Sequence, residues 1–209
     1  YDIILSFLTA LAVTYFAIPS VIKVAKVKNL IDVPGHRAAH ETPTPSLGGI
    51  AIFAGTVFAI TMWTPFRYFA GLQYILCAMM IIFLIGAKDD IMPMSPLRKL
   101  GGQIAAAAIL ALKADVIITT LYGLLGIYEL PYWLGVIFSV FVIILIINAF
   151  NLIDGINGLA ASLGILISLV FGTWFFLVER VELAMVAFAL TGALVAFLKY
   201  NYTPADIFM

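Results

Sequence analysis

Two groups of polar residues stand out because each follows directly on a long apolar run. The pair Asp89-Asp90 comes after a run that ends at Ile85, and the segment 148–155, which contains two asparagines and an aspartate, comes after the run 136–147. Carboxylates at the end of a membrane helix are costly to keep there unless a partner compensates their charge. Two such groups on one membrane face therefore indicate a charged ligand, a metal ion, or both.

The adjacent acids Asp89 and Asp90 suggest how that ligand would be bound. Neighbouring like charges repel each other, so both stay ionised only if a cation lies close by. Mg²⁺ is usually bound by one or two carboxylates together with substrate phosphate oxygens. The alternative is a solvated loop beside Lys88. Lys99, ten residues after Asp89, could return to the same place as a phosphate contact, or it could be an interfacial lysine that extends to water.

The second group, Asn148, Asn151 and Asp154, recurs every three residues. On a helix these side chains would fall within an arc of about 120°. Two amides and a carboxylate on one stripe of a membrane helix need partners there. The partners are either a substrate or neighbouring helices that use the polar groups as structural contacts. Asn157 fits both interpretations.

A third segment, 32–49, is rich in proline and glycine, which shape a loop through their restricted or permissive backbone angles. Within it, Arg37 and His40 could reach a phosphate group. An ordinary basic loop is the alternative for this segment taken alone. His36 and His40 lack neighbouring ligands at metal-binding spacing, so we predict no zinc site.

The elements that must position these residues follow from composition. The chain has 209 residues, of which 64% are hydrophobic and 11% charged. This predicts an all-α integral membrane protein, because a soluble domain of this size could not bury so much apolar surface. The net charge is zero, so nothing indicates a nucleic-acid partner. Runs of about 20 apolar residues cross the bilayer, and we predict about seven transmembrane helices: 2–22, 47–64, 70–87, 99–114, 133–151, 157–177 and 182–199.

Positive charge predicts the orientation, since lysine and arginine are enriched in cytoplasmic segments. With the N-terminus outside, eight of the eleven Lys and Arg residues lie on the inner side. The same orientation places the polar segments 23–46, 88–98, 148–156 and 200–209 together in the cytoplasm. The outer segment 114–132 is β-rich, and a short extracytoplasmic β-hairpin near 115–130 is expected there.

Taken together, the three segments resemble the polyprenyl-phosphate N-acetylhexosamine-1-phosphate transferase family, which includes UDP-GlcNAc:undecaprenyl-phosphate transferases. The order and spacing of the motifs agree along the whole chain, and the Pro-x-Pro loop is more similar to the GlcNAc branch. The matching residues are Asp32, Pro34, Arg37, His40, Pro43, Pro45, Gly48 and Gly49 in the first segment; Asp89, Asp90, Pro96, Lys99 and Gln103 in the second; and Asn148, Asn151, Asp154, Gly155, Gly158 and Leu159 in the third.

The resemblance implies transfer of N-acetylhexosamine-1-phosphate from a UDP-sugar to polyprenyl phosphate, with release of UMP, at the cytoplasmic face of the inner (plasma) membrane. It implies Mg²⁺, or Mn²⁺ in its place, and it is compatible with a homodimer. Asp89 would activate the lipid phosphate, in one step or through a phospho-aspartate, and Asp90 and Asp154 would bind the metal. Substrate contacts would come from Lys99, Asn148, Asn151, Asn157, Arg37 and His40.

The chain departs from the family pattern at three places. Ala38 stands where the family usually has lysine, and Asn157 stands where it usually has a second aspartate. The family also continues, after a segment like 204–209, into a Gly-Asp-Ser/Thr-Gly motif that supplies a metal ligand. We therefore expect residues 1–209 to form a single transmembrane catalytic domain that is incomplete at its C-terminus and inactive alone.

Two other functions stay open at this point. One is a phospho-N-acetylmuramoyl-pentapeptide transferase activity. The other is a membrane transporter, since intramembrane acids also mark transport pathways. Acids of transporters usually lie near the bilayer centre, whereas those predicted here lie at helix ends.

Overall fold

The computed structural model describes residues 1–32 and 44–209, and these residues form seven α-helices. Each predicted apolar run corresponds to one helix, which confirms the all-α fold. Two helices run at least four residues past their predicted C-terminal ends, α1 past residue 22 and α3 past residue 87, because their charged last turns need no hydrocarbon around them. The helices are α1 (Asp2–Val27), α2 (Gly48–Trp63), α3 (Phe66–Ile91), α4 (Pro96–Lys113), α5 (Tyr132–Ile153), α6 (Leu159–Leu177) and α7 (Val181–Asn201).

Five of the described helices are long and apolar enough to cross a membrane, namely α1, α3 from residue 71 onward, α5, α6 and α7. The protein is therefore a multi-pass integral membrane protein. Helix α2 is apolar but has 16 residues, which is a length of about 24 Å at 1.5 Å per residue. Helix α4 is diluted by Gly101, Gly102 and Gln103. Seven crossings therefore remain a prediction.

Extended structure in the described residues is brief. Strand β1 (Ile31–Asp32) pairs antiparallel with β2 (Thr44–Pro45). The hairpin predicted near 115–130 consists of one bridge between Thr120 and Glu129. A longer ladder does not form because the chain turns at once into a short 3-10 helix, Leu124–Gly126. The side of the membrane on which this hairpin lies remains a prediction.

The chain divides into two compact units. Unit 1 comprises residues 1–70 and 151–209, and unit 2 comprises residues 71–150. The expectation that residues 1–209 form a single catalytic domain remains a prediction.

Unit 1 is built around α7, which packs against α1, α2 and α6. Small side chains such as Ala189 and Ala193 are fully buried along α7. A Cβ at Gly192 would lie 2.2 Å from the carbonyl oxygen of Phe7. The backbones of α1 and α7 can therefore approach closely only with glycine there, as is common where membrane helices pack.

Unit 2 contains most of α3, all of α4, the connection 114–131 and most of α5. Ser139 of α5 joins this connection to the helix: its hydroxyl accepts the Ile118 N–H at 2.8 Å and donates to the Gly135 carbonyl at 2.7 Å. The connection is thus attached to the start of α5, and Asn148 lies toward the opposite end of that helix.

Candidate functional site

In unit 2, Asp89 is held from two sides at the end of α3. The ammonium Nζ of Lys99 lies 2.8 Å from Asp89 Oδ2, and both side chains are 24% exposed. The backbone N–H of Met94 donates to Asp89 Oδ1 at 2.9 Å. The prediction that Lys99 returns to Asp89 is thus confirmed as a contact. A part-exposed carboxylate beside an ammonium group is an arrangement that suits phosphate chemistry.

One turn further along α4, Gln103 faces Asn148 of α5. Asn148 Nδ2 donates to Gln103 Oε1 at 2.9 Å and to the Ile144 carbonyl at 2.8 Å, and Gln103 Nε2 donates to Asn148 Oδ1 at 3.4 Å. Gln103 is buried. Both N–H donors of Asn148 are therefore used within the protein, which is the interhelical role weighed against substrate binding above.

Helix α4 organises these two contacts. Lys99 and Gln103 are four residues apart and so lie on one face of the helix. One residue contacts α3 and the other contacts α5. The sequence did not reveal the role of Gln103. A usable signal was present, because Gln103 is a polar residue inside an apolar helix and lies four positions after Lys99, a candidate phosphate ligand.

Asp90 lies beside Asp89 on the last turn of α3 and its side chain is exposed. The two neighbouring acids thus have different surroundings. Asp89 is oriented by Lys99 and Met94, whereas Asp90 is accessible from outside the unit.

In unit 1, Asp154 lies in the turn between α5 and α6. The prediction of one helical stripe for Asn148, Asn151 and Asp154 is wrong for Asp154, because α5 ends at Ile153. Asp154 Oδ2 accepts the backbone N–H of Met209 at 3.0 Å. Because Asp154 lies in this turn and not on the helix, its carboxylate contacts the segment that follows α7.

That following segment, 207–209, also contacts the start of α2. The Phe208 N–H donates to the Pro45 carbonyl at 2.9 Å, and the Gly48 N–H donates to the Phe208 carbonyl at 2.9 Å. The segment therefore lies between β2 and the Asp154 turn. Two of the three sequence motifs meet in unit 1 through these main-chain contacts.

Asn201, at the end of α7, is a second residue that the sequence did not single out. It is fully buried. Its Oδ1 accepts the Gly158 N–H at 2.9 Å, and its Nδ2 donates to the Ile207 carbonyl at 2.8 Å. A polar residue at the end of an apolar helix was a weak signal, since one of its partners, Gly158, lies 43 residues away in the sequence.

The remaining predicted residues are placed as follows. Asn151, on the last turn of α5, is exposed, and Asn157, in the turn before α6, is partly exposed. Arg37 and His40 lie outside the described residues. Their roles as substrate contacts stay predictions.

The metal prediction concerns Asp90 and Asp154. Across residues 1–32 and 44–209, His, Cys, Asp and Glu side chains do not gather in groups of three or more that could hold a metal ion. The donor chemistry nevertheless fits Mg²⁺, which prefers oxygen ligands and often takes only one or two carboxylates alongside phosphate oxygens.

The five long apolar helices, with two adjacent acids at the end of α3, define a multi-pass membrane protein. Residues 72–209 match glycosyl transferase family 4, and the chain belongs to that family. The matched region contains Asp89, Asp90, Lys99, Asn148 and Asp154.

Curated relatives extend the similarity to nearly the whole chain. A decaprenyl-phosphate N-acetylglucosaminephosphotransferase of Mycobacterium tuberculosis (strain ATCC 25618 / H37Rv) is 33% identical over 220 residues, which cover 97% of this chain and 54% of the relative. An undecaprenyl-phosphate alpha-N-acetylglucosaminyl 1-phosphate transferase of Escherichia coli (strain K12) is 30% identical over 182 residues, which cover 86% of this chain and 48% of the relative. The chain spans about half the length of the curated relatives it matches.

Proposed function

We propose that this protein transfers N-acetylglucosamine-1-phosphate from UDP-N-acetylglucosamine to a polyprenyl phosphate, releases UMP, and so initiates the synthesis of a cell-envelope glycan. The observation that carries the proposal is the similarity to two named GlcNAc-phosphate transferases along most of the chain. The Asp89–Lys99 pair and the anchored Asp154 support it, because both lie within the family match.

The reaction is a phosphoryl transfer. An oxygen of the lipid phosphate forms a bond to the β-phosphorus of the UDP-sugar, and the bond from that phosphorus to the bridging oxygen breaks. The products are polyprenyl diphosphate-sugar and UMP. Such reactions depend mainly on positioning the two phosphates and compensating their charge. At Lys99 and Asp89 an ammonium group lies next to a carboxylate. The ammonium group would compensate phosphate charge, and the carboxylate would position the lipid phosphate.

Asp89 is the residue we assign to the lipid phosphate, and Lys99 is the group that contacts phosphate when substrate binds. For Asn148 the hydrogen bonds favour a positioning role, since its donors already bind Gln103 and Ile144. Asn151, which is exposed, and Asn157, which is partly exposed, are the amides we assign to the diphosphate or uridine. Arg37 and His40 are proposed as further phosphate contacts.

Mg²⁺, with Mn²⁺ as a substitute, is the proposed cofactor, and Asp90 and Asp154 are the residues that would hold it. When bound it would neutralise charge on the diphosphate and on the leaving UMP. The protein's own contribution is to present Asp90 in an exposed position and Asp154 in a fixed one.

The membrane location suits this chemistry, because the tail of a polyprenyl phosphate stays in the bilayer while its phosphate meets a soluble nucleotide sugar. We propose the inner membrane, with the site on the cytoplasmic side, and a homodimer as the assembly to test. The pentapeptide-transferase and transporter alternatives are not supported by the names of the relatives reported above.

The test is UMP release by the complete protein in membranes supplied with UDP-GlcNAc, undecaprenyl phosphate and Mg²⁺. We expect release that requires all three additions. A matched reaction with UDP-MurNAc-pentapeptide as donor separates the two transferase activities. Absence of UMP release with both donors would overturn the proposal.

Orientation is tested separately by cysteine labelling. Cys77 is replaced by alanine, and single cysteines are introduced at Lys28, Ser95 or Tyr122. We expect positions 28 and 95 to react with a membrane-impermeant reagent only after the membrane is opened, and position 122 to react in intact cells. Labelling of position 95 in intact cells would contradict a cytoplasmic site.

A further inference from the structure

Asn201 joins the two pieces of backbone that flank the Asp154 carboxylate. On one side it accepts a hydrogen bond from Gly158, at the end of the turn that contains Asp154. On the other side it donates to Ile207, two residues before Met209, whose N–H binds Asp154. A single buried amide thus connects the residue's own turn to the segment that supplies its hydrogen bond.

The amide is suited to this task by its chemistry. Asparagine offers an acceptor and a donor on one planar group, and each meets a main-chain partner of opposite type. Asn201 is fully buried, so water does not replace either bond when the side chain is removed. Leaving a buried N–H or carbonyl without a partner is unfavourable enough to shift a turn or a chain segment.

The backbone on the Asp154 side needs that support. Gly158 has φ +72°, a left-handed conformation that glycine adopts easily but that does not define a unique turn by itself. It is also the residue that precedes the first turn of α6. A hydrogen bond to its N–H therefore determines where α6 begins relative to α7, and with it the position of the turn 154–158.

We infer that Asn201 is a positioning residue for Asp154: it sets the place of that carboxylate by binding the turn before α6 and the segment after α7 at the same time. The inference rests on the proposed function, because that function is what makes the position of Asp154 important. The contacts of Asn201 can nevertheless be tested without measuring activity.

The experiment compares Asn201→Leu, which keeps the number and branching of the side-chain heavy atoms and lacks both polar groups, with Thr191→Val. Thr191 is also buried on α7, and its hydroxyl bonds Ser168 of α6 at 2.8 Å, remote in sequence from the Asp154 turn. Both variants remove a buried polar contact made by a side chain of α7. Only the first should disturb the surroundings of Asp154.

The first measurement is amide hydrogen exchange in the complete protein in detergent. Asn201→Leu should speed exchange in peptides covering 154–160 and 205–209, while peptides from α1 exchange as in the parent. Thr191→Val should leave those two regions unchanged. Unchanged exchange at 154–160 in Asn201→Leu would overturn the inference.

The second measurement is a double-mutant cycle on kcat for UMP release. Asn201→Leu should lower kcat about 10–100-fold, the range found for residues that orient a metal ligand. In an Asp154→Asn background the same change should have little further effect, because the carboxylate that it positions is gone. Full additivity of the two losses would show a merely structural role and overturn the inference.

The two proposals fail in distinguishable ways. If the complete protein releases no UMP, the proposed function fails, while the exchange experiment still tests Asn201. If Asn201→Leu does not accumulate in membranes, Asn201→Ser, which keeps a hydroxyl oxygen, takes its place in both measurements. With that variant the same outcomes support or overturn the inference.

Discussion

The two compact units hold their acidic residues in different ways. In unit 1, Asp154 is bound by a main-chain N–H, and the segment that carries this N–H is bound by further main-chain contacts. In unit 2, Asp89 is bound by the side chain of Lys99 as well as by the Met94 N–H. The partner of Asp154 is a main-chain group, whereas one partner of Asp89 is the flexible side chain of Lys99, which can leave it by a change of rotamer.

The helices of the two units also differ in the fraction of their residues that is buried. In the apolar stretch of α7, which is central to unit 1, 56% of the residues are buried, against 6% for the stretch of α5. A well-packed helix can support a buried polar residue such as Asn201. Unit 1 thus holds Asp154 within well-packed structure, whereas unit 2 holds Asp89 in a part-exposed ion pair.

The largest effect is expected from the carboxylates proposed to hold the metal. Asp154→Asn and Asp90→Asn should each lower kcat about 100-fold or more, because charge on the diphosphate is then poorly compensated. UMP release by the complete protein measures this. Asp206→Asn, an exposed acid near the end of the same unit as Asp154, is the control and should keep nearly full activity. Near-parental turnover of Asp154→Asn would remove that residue from the site.

A smaller loss is expected for the charged pair. Lys99→Met should lower kcat/KM about 10–100-fold, since both the phosphate contact and the orientation of Asp89 are lost. Lys99→Arg, which retains the charge but not the geometry, should lose less. The neighbouring cation Arg98 is exposed, and Arg98→Met serves as the matched control. Equal losses at positions 98 and 99 would show a general charge effect instead of a specific pair.

The amide pair of unit 2 should matter for stability more than for chemistry. In a double-mutant cycle of Gln103→Leu and Asn148→Leu, we expect a coupling free energy of unfolding of about 0.6–1.7 kcal/mol, the range for interhelical hydrogen bonds in membranes. Denaturant unfolding in detergent measures it. A coupling of zero would mean that the two amides act independently and that Asn148 is available to substrate.

The smallest effect on activity is expected at the other end of α5. Ser139→Ala removes the acceptor of the Ile118 N–H and should lower the free energy of unfolding by about 0.5–1.5 kcal/mol. UMP release at a temperature well below unfolding should be unchanged, because the helix end that carries Asn148 is far along α5. A large loss of kcat in this variant would show that the connection 114–131 contributes to the site.

Several features were predictable from residues close together in the sequence. The pair of Asp89 with Lys99 spans ten residues and follows from two helix ends joined by a short loop. Asp89 and Asp90 were also recognisable as unusual, because carboxylates seldom end an apolar run without a role. The end of α5 was harder to predict. The three-residue spacing of Asn148, Asn151 and Asp154 suggested a continuous helix, but the helix stops at Ile153, just before Asp154.

The helices themselves were determined by the sequence alone. In a membrane each helix satisfies its own backbone hydrogen bonds, so the length and apolar character of a run are sufficient to predict it. The partners of the buried polar groups were decided only by the tertiary structure. Gln103 meets Asn148 across 45 residues, Asn201 meets Gly158 across 43, and Asp154 meets Met209 across 55. Such pairs depend on which helix faces pack together. Apolar runs of similar composition contain no local signal that specifies which faces will pack.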